Sequence, residues 1–260
     1  MSSCAPAEAP RPVRTVDRVR RSNLLGELAV VLVLVKVYDW VRSLEATRAG
    51  PALRHAHGLL DVERWLHIDI ELAATHWLAD HEPLSVIAAW WYQVAHLSVT
   101  LTVLAWCWWR RPDVYRRFRN ALVLTNVAGL LVFLVLPMMP PRLLPGAGYV
   151  DAAAEAGFGP PHAGPVAADQ YAAMPSLHLA WATWTAAVAL TLLAGRRGRG
   201  LVLLYPAVTA VVVVVTGNHY VLDVVAGVAV AVLALLVAQR IPPLRPLPRP
   251  LATPGTPSRR

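Results

Sequence analysis

His219 and Asp223 stand four residues apart in "TGNHYVLDVVAG", and helical periodicity puts such a pair on one face, one turn apart. A neutral imidazole can attack phosphorus through one ring nitrogen while the other gives its proton to a carboxylate. The carboxylate fixes the tautomer and stabilises the positive charge that grows on the ring. On this chemistry His219 is the nucleophile and Asp223 the group that orients it. Phosphoryl transfer also needs positive charge around the equatorial oxygens and a proton for the leaving oxygen. Arg142, in "PMMPPRLLP", can give paired hydrogen bonds to a phosphate. "AAMPSLHLAW" opens an apolar segment with Pro175 and Ser176, and backbone N–H groups at such a helix start make an anion site that the Ser176 hydroxyl can join. His178, in the same first turn, is placed to be the general acid. Gln170 and Tyr171, just upstream, are candidates for lining a headgroup pocket.

Each of these residues has a plainer reading alone. Ser176 could merely cap a helix, and Arg142 could snorkel to a headgroup. His219 with Asp223 could be an interfacial hydrogen-bonded pair or half of a metal site. Their weight comes from arriving together, so the elements that carry them matter.

Those elements are membrane-like. The chain has 260 residues, 56% hydrophobic and 15% charged, with a mean hydropathy of +0.46, which sets it apart from soluble domains. Apolar runs at about 24–41, 84–109, 118–136, 175–194, 200–216 and 219–239 predict an all-α fold with six transmembrane helices. The mixed stretch 42–83, with Leu59, Leu60, Trp65, Leu66, Ile68, Leu72 and Trp77 among acids and histidines, predicts an interfacial helical segment between the first two. Residues 1–23 and 241–260, basic and rich in proline, are expected to be disordered tails around a membrane domain over 24–240.

The charge orients this arrangement. The net charge is +8, and Lys36 is the only lysine. The arginines cluster in the N-terminal tail, at Arg110 to Arg119, at Arg196 to Arg199 and in the C-terminal tail. With six spans all four clusters face one side, which the positive-inside rule makes cytoplasmic, with both termini. Arg142, His178 and His219 then meet at the extracytoplasmic side. No nucleic-acid-binding module accompanies the positive charge, so nucleic acid is excluded as a partner. Ala, Val and Arg richness points to a GC-rich bacterial chain and hence to the plasma membrane. Arg20-Arg21 loosely resembles a twin-arginine signal, but the expectation is a first helix that stays attached. Cys4 and Cys107 have neither zinc nor disulfide spacing. The spacing of His55, His57, His67, His76 and His81 is too irregular for a metal cluster. His96, with Trp90, Trp91 and Tyr92, is read as packing in the second span.

"PPRLLP", "AAMPSLHLAW" and "GNHYVLDVVAG" resemble the three signature motifs of the type 2 phosphatidic acid phosphatase superfamily, closest to its inositol phosphorylceramide synthase-like branch. The resemblance covers about residues 55–240. It implies a six-helix phosphotransferase working through a phosphohistidine, without metal or other cofactor. It carries over His219 as nucleophile, Asp223 as its partner, His178 as acid, and Arg142 and Ser176 as phosphate binders. The phosphatase branch has glycine where this chain has Leu177, arginine at the position of Val213 and lysine at that of Val135. These departures favour the synthase-like branch, with a phospholipid or polyprenyl phosphate as donor and water, a polyol or another hydroxyl as acceptor. The alternative from another class is a transporter or lipid-handling protein that binds phosphate headgroups without chemistry. The two differ in geometry: catalysis needs His178 and His219 within about 10 Å of each other.

Overall fold

The computed structural model describes residues 23–45, 48–151, 154, 171–193 and 198–241. Gln170, most of both predicted tails, and Arg196 and Arg197 lie outside them. Among the described residues there are nine α-helices: α1 (Leu24–Glu45), α2 (Ala49–Leu66), α3 (Glu71–Ala79), α4 (Glu82–Trp90), α5 (His96–Arg110), α6 (Pro112–Val135), α7 (Leu177–Leu192), α8 (Arg199–Val215) and α9 (Val221–Arg240). The only extended pairing among them is a lone parallel bridge between Met138 and Ala172. A π-helical turn, Trp91–Ala95, joins α4 to α5 without a break. The fold is all-helical.

Local chemistry sets the boundaries. Pro112 starts α6, where its missing N–H is no loss, and Pro137 follows the end of α6 at Val135. His67 ends α2 in the left-handed region, at φ +59°. Ser176 caps α7, so that helix begins at Leu177, two residues later than the apolar run implied. Tyr220 is extended (φ −77°, ψ 161°) and caps α9, so His219 precedes the helix instead of lying on its face. Segment 42–83 is divided between the end of α1, α2 and α3, because residues 67–70 turn the chain between the last two.

Three helical stretches, Glu82–Arg110, Pro112–Val135 and Val221–Arg240, have the length and apolarity to cross a membrane; α7 and α8 are shorter and apolar. Large apolar side chains such as Val135, Leu201, Val211 and Leu233 point outward, as expected of surfaces facing lipid. The centre is built from α6, α7 and α9 packed on one another, with α5 and α8 against α7, α1 against α6, and α3 against α8.

The two ends of this bundle differ. At the arginine-rich end Cys107, Tyr115, Phe118, Trp184, Val188 and Ala238 form one core, and Trp184 Nε1 donates to the Phe118 carbonyl at 2.8 Å. Glu27 of α1 accepts from Tyr115 Oη at 2.9 Å and from Arg119 Nη1 at 3.1 Å, tying α1 to α6. At the opposite end Ala52, Ala56 and Leu60 of α2 pack on Met138, Met139, Leu144, Ala173 and Tyr220. There the chain after α6 lies beside the chain before α7, with Met138 N–H donating to the Tyr171 carbonyl at 2.6 Å and Ala173 N–H to the Met138 carbonyl at 3.1 Å. That juxtaposition brings the three sequence motifs together.

Candidate active site

Arg142 stands on a short 3-10 turn, Pro141–Leu143, just beyond α6. Its backbone N–H donates to the Gly217 carbonyl at 2.9 Å, and its Nε to Asn218 Oδ1 at 2.8 Å. Nη1 is paired with Asp151 Oδ2 at 3.0 Å. The Thr216-Gly217-Asn218 link is therefore built against the arginine. Gly217 has φ +66°, and a Cβ there would sit 3.0 Å from Thr75 Cγ2 and 3.2 Å from Arg142 Cβ. Asn218 and His219 both donate their N–H to the Val213 carbonyl at 3.1 Å, which turns the chain sharply out of α8.

This turn delivers a buried His219. Its Nδ1 lies 2.7 Å from the Ala173 carbonyl, while Asp223 Oδ2 is 3.6 Å away. A carbonyl can only accept, so Nδ1 carries the proton and Nε2 keeps the lone pair. Nε2 is buried without a hydrogen-bond partner. The sequence suggested a carboxylate, Asp223, as the group that fixes the tautomer; the direct acceptor is the Ala173 main chain. Asp223, fully buried, accepts the Tyr220 N–H on Oδ2 at 2.9 Å and leaves Oδ1 unpartnered.

His178 faces His219 from the first turn of α7, with ring centroids 5.6 Å apart. Tyr92 stacks on it at 4.3 Å and His96 meets it edge-on at 4.3 Å. Its Nε2 is also buried without a partner. Both histidines line a small cavity of about 40 Å³, together with Tyr38, Tyr92, Pro140, Leu177 and Asn218. Both histidines lining this space thus hold a buried ring nitrogen with no partner, a hydrogen-bonding capacity that a bound polar group would fill.

Ser176 is fully buried, and its Oγ accepts the Leu179 N–H at 3.4 Å. Its backbone N–H donates to the Asp223 carbonyl at 3.0 Å, so the starts of α7 and α9 are joined by main chain. Gly227 permits that contact, since a Cβ there would lie 2.2 Å from the Ser176 carbonyl oxygen. Leu177 fits for a related reason: a Cβ on Gly129 would come within 2.6 Å of Leu177 Cδ2. Tyr171 packs at the margin, against the cluster that holds Met138 and Tyr220.

Several site residues escaped the sequence reading. Asn218 stands next to His219 within the motif and orients Arg142. Asp151 occupies Arg142. Tyr92 and His96 are spaced four apart, a spacing that places both against one neighbour, and both pack on His178. Least visible were Glu63 and Glu71, which lay among other acids of the 42–83 segment. Glu71 Oε1 accepts the Val221 N–H at 2.8 Å and Glu63 Oε1 the Leu222 N–H at 2.7 Å, and both side chains are fully buried. Burial raises both carboxyls above the ordinary carboxylate range, Glu63 to about 8.

No curated protein and no solved structure matches the chain at a significant level. A family model does: that of the PAP2 superfamily matches residues 57–237, from within α2 to the last turn of α9. Because that stretch spans well over half of the chain and contains Arg142, His178, His219 and Asp223, the chain belongs to the PAP2 superfamily.

Proposed function

We propose that the protein is a membrane phosphatase or phosphotransferase that moves a phosphoryl or substituted phosphoryl group from a lipid donor through a covalent adduct on His219. Membership of the PAP2 superfamily supports phosphatase-type chemistry, and the apolar helices support a membrane setting. The observation that carries the reading is the pair of unpartnered Nε2 atoms, on His178 and His219, at one cavity with ring centroids 5.6 Å apart.

In the first step the lone pair on His219 Nε2 attacks phosphorus, forming the P–N bond as the P–O bond to the leaving group breaks. His178, protonated, gives its proton to the departing oxygen. The Nδ1 proton of His219 stays on the ring, held by the Ala173 carbonyl, and Asp223 stabilises the charge. In the second step water or another hydroxyl attacks phosphorus and gives its proton to His178. The P–N bond breaks and His219 is restored. Arg142, fixed by Asn218, supplies positive charge to the equatorial oxygens. Ser176 contributes by capping the turn that carries His178. Gln170 and Tyr171 are proposed to border the headgroup.

Leu177, Val213 and Val135 favour the synthase-like branch, with a substituted phosphoryl group such as phosphoinositol as cargo and a polyol or lipid hydroxyl as acceptor. Six spans, with α2 and α3 at the interface, put the arginines at Arg110 to Arg119 on the cytoplasmic side and the cavity on the other. Trp65, well exposed on α2, suits an interfacial position.

The test uses purified protein, a panel of phosphate-labelled phospholipids and polyprenyl phosphates, and assays with and without inositol. Alkaline quenching should reveal an acid-labile labelled protein that His219→Ala lacks. Absence of the adduct, with full activity in His219→Ala, would overturn the catalytic reading. Headgroup binding without turnover would favour a lipid-handling protein.

A further inference from the structure

The phosphotransfer scheme leaves two buried acids unused. Glu63 and Glu71 come from α2 and α3 and converge on the start of α9, immediately after His219. Three successive N–H groups there end on three carboxylates: Tyr220 on Asp223 at 2.9 Å, Val221 on Glu71 at 2.8 Å and Leu222 on Glu63 at 2.7 Å. Each glutamate keeps a second oxygen, Oε2, that is buried and has no partner. Arg64, next in sequence to Glu63, does not compensate it, since it pairs with exposed Asp61 at 3.5 Å. A carboxylate oxygen removed from water and left unpaired is costly, and two adjacent buried carboxylates disfavour each other's ionisation. One proton shared between the two side chains answers both problems.

We propose that Glu63 and Glu71 are positioning residues, a carboxylic acid and a carboxylate sharing one proton, that clamp the first turn of α9 and so hold His219 and Asp223 against His178. The clamp follows from geometry alone; its consequence for turnover rests on the phosphotransfer reading above. One carboxyl is the donor and the other the acceptor, while each Oε1 keeps its backbone N–H.

The groups facing the pair are Asp223 and Tyr220 at the start of α9 and Tyr149 from the chain after α6, and none of them brings positive charge. Burial first, and the neighbouring carboxylates after it, push Glu63 up to about 8 and raise Glu71 as well, so the pair holds a proton that an unfolded glutamate loses near pH 4.5. The stabilisation from this proton is full below pH 4.5 and is lost as pH rises towards about 8. Above that range two anions oppose each other at the clamp, and turnover should fall.

The experiment joins infrared spectroscopy of the full chain in lipid nanodiscs with turnover on the best donor from the lipid panel. At neutral pH the wild type should show the C=O band of a buried carboxylic acid, absent from both Glu63→Gln and Glu71→Gln. Absence of the band from wild type, or its persistence in both variants, overturns the shared proton. In the kinetic arm, Glu63→Ala and Glu71→Ala should lower kcat by about 30-fold or more with KM within about threefold, because the reacting groups are misplaced. The Gln variants should recover at least about tenfold of that loss, since the amide supplies a hydrogen in place of the shared proton. They should also lose the alkaline fall in kcat. Gln variants as impaired as Ala, or Ala variants as active as wild type, would overturn the positioning role. The infrared arm needs no substrate, so a chain that has the band yet transfers nothing keeps the clamp and fails the phosphotransfer reading instead.

Discussion

The arginine-rich end and the histidine end of the bundle both bury polar groups between helices, yet they treat them differently. At the arginine-rich end Glu27 receives Tyr115 and both of its oxygens accept from Arg119. At the other end His178 Nε2, His219 Nε2 and Asp223 Oδ1 are buried without partners. The first is a joint whose hydrogen-bonding capacity is filled within the chain. The second keeps unfilled capacity on two histidines that line a cavity and on the aspartate beside His219, at a cost in folding free energy that a purely structural region has no reason to bear. Among the described histidines and carboxylates, unfilled polar capacity, more than burial or charge, separates the histidine end from the fastening end.

The sharpest way to break the comparison is His219→Ala. Turnover should drop on the order of 10³-fold or more, with the labelled adduct lost, while the thermal midpoint changes little. A variant that keeps turnover would place the chemistry elsewhere. His178→Asn comes next, with a fall of roughly 10²–10⁴-fold on lipid substrates. A donor whose leaving group needs no proton should be far less affected, and equal losses on both donors would remove His178 from the role of acid.

Asp151→Asn tests the cation of the site, Arg142. Releasing Arg142 from its 3.0 Å ion pair should strengthen donor binding, lowering KM by about fivefold, or ~1 kcal/mol, with kcat little changed. A raised KM would mean that Asp151 holds the arginine in its working pose. The smallest effect is expected at the arginine-rich end. Glu27→Gln should leave kcat/KM unaltered and reduce stability by about 1 kcal/mol, measured by denaturant titration in mild detergent. A large loss of activity there would erase the distinction between the two ends.

The residues proposed to react stand out in the sequence because the chemistry proposed for them is local. His219 and Asp223 are four residues apart, and His178 follows Ser176 by two, so type and spacing suffice to single them out, and the fold brings His178, His219 and Asp223 together. The apolar runs likewise marked helices at α1, α4 to α9. What stayed hidden depends on contacts across long stretches of chain. The Ala173 carbonyl is a main-chain acceptor and has no residue signature, so Asp223 drew the whole of the orienting role. Glu63 and Glu71 are indistinguishable in sequence from the exposed acids beside them, since only the docking of α2 and α3 buries them. His219 was assigned to a helix that begins two residues later, because an extended Tyr220 cap cannot be read from an apolar pattern.

The bond from the Ser176 N–H to the Asp223 carbonyl has a further consequence. It passes between two backbones at a place where Gly227 lets them touch, so the spacing of the two histidine-bearing segments is inherited from main chain and survives side-chain change. The residues that shape the cavity, Leu177, Tyr38 and Pro140 among them, carry no part of that spacing. On the proposed mechanism, chemistry and substrate choice are thereby uncoupled: the lining can drift towards a new headgroup while the histidines beneath it stay in register.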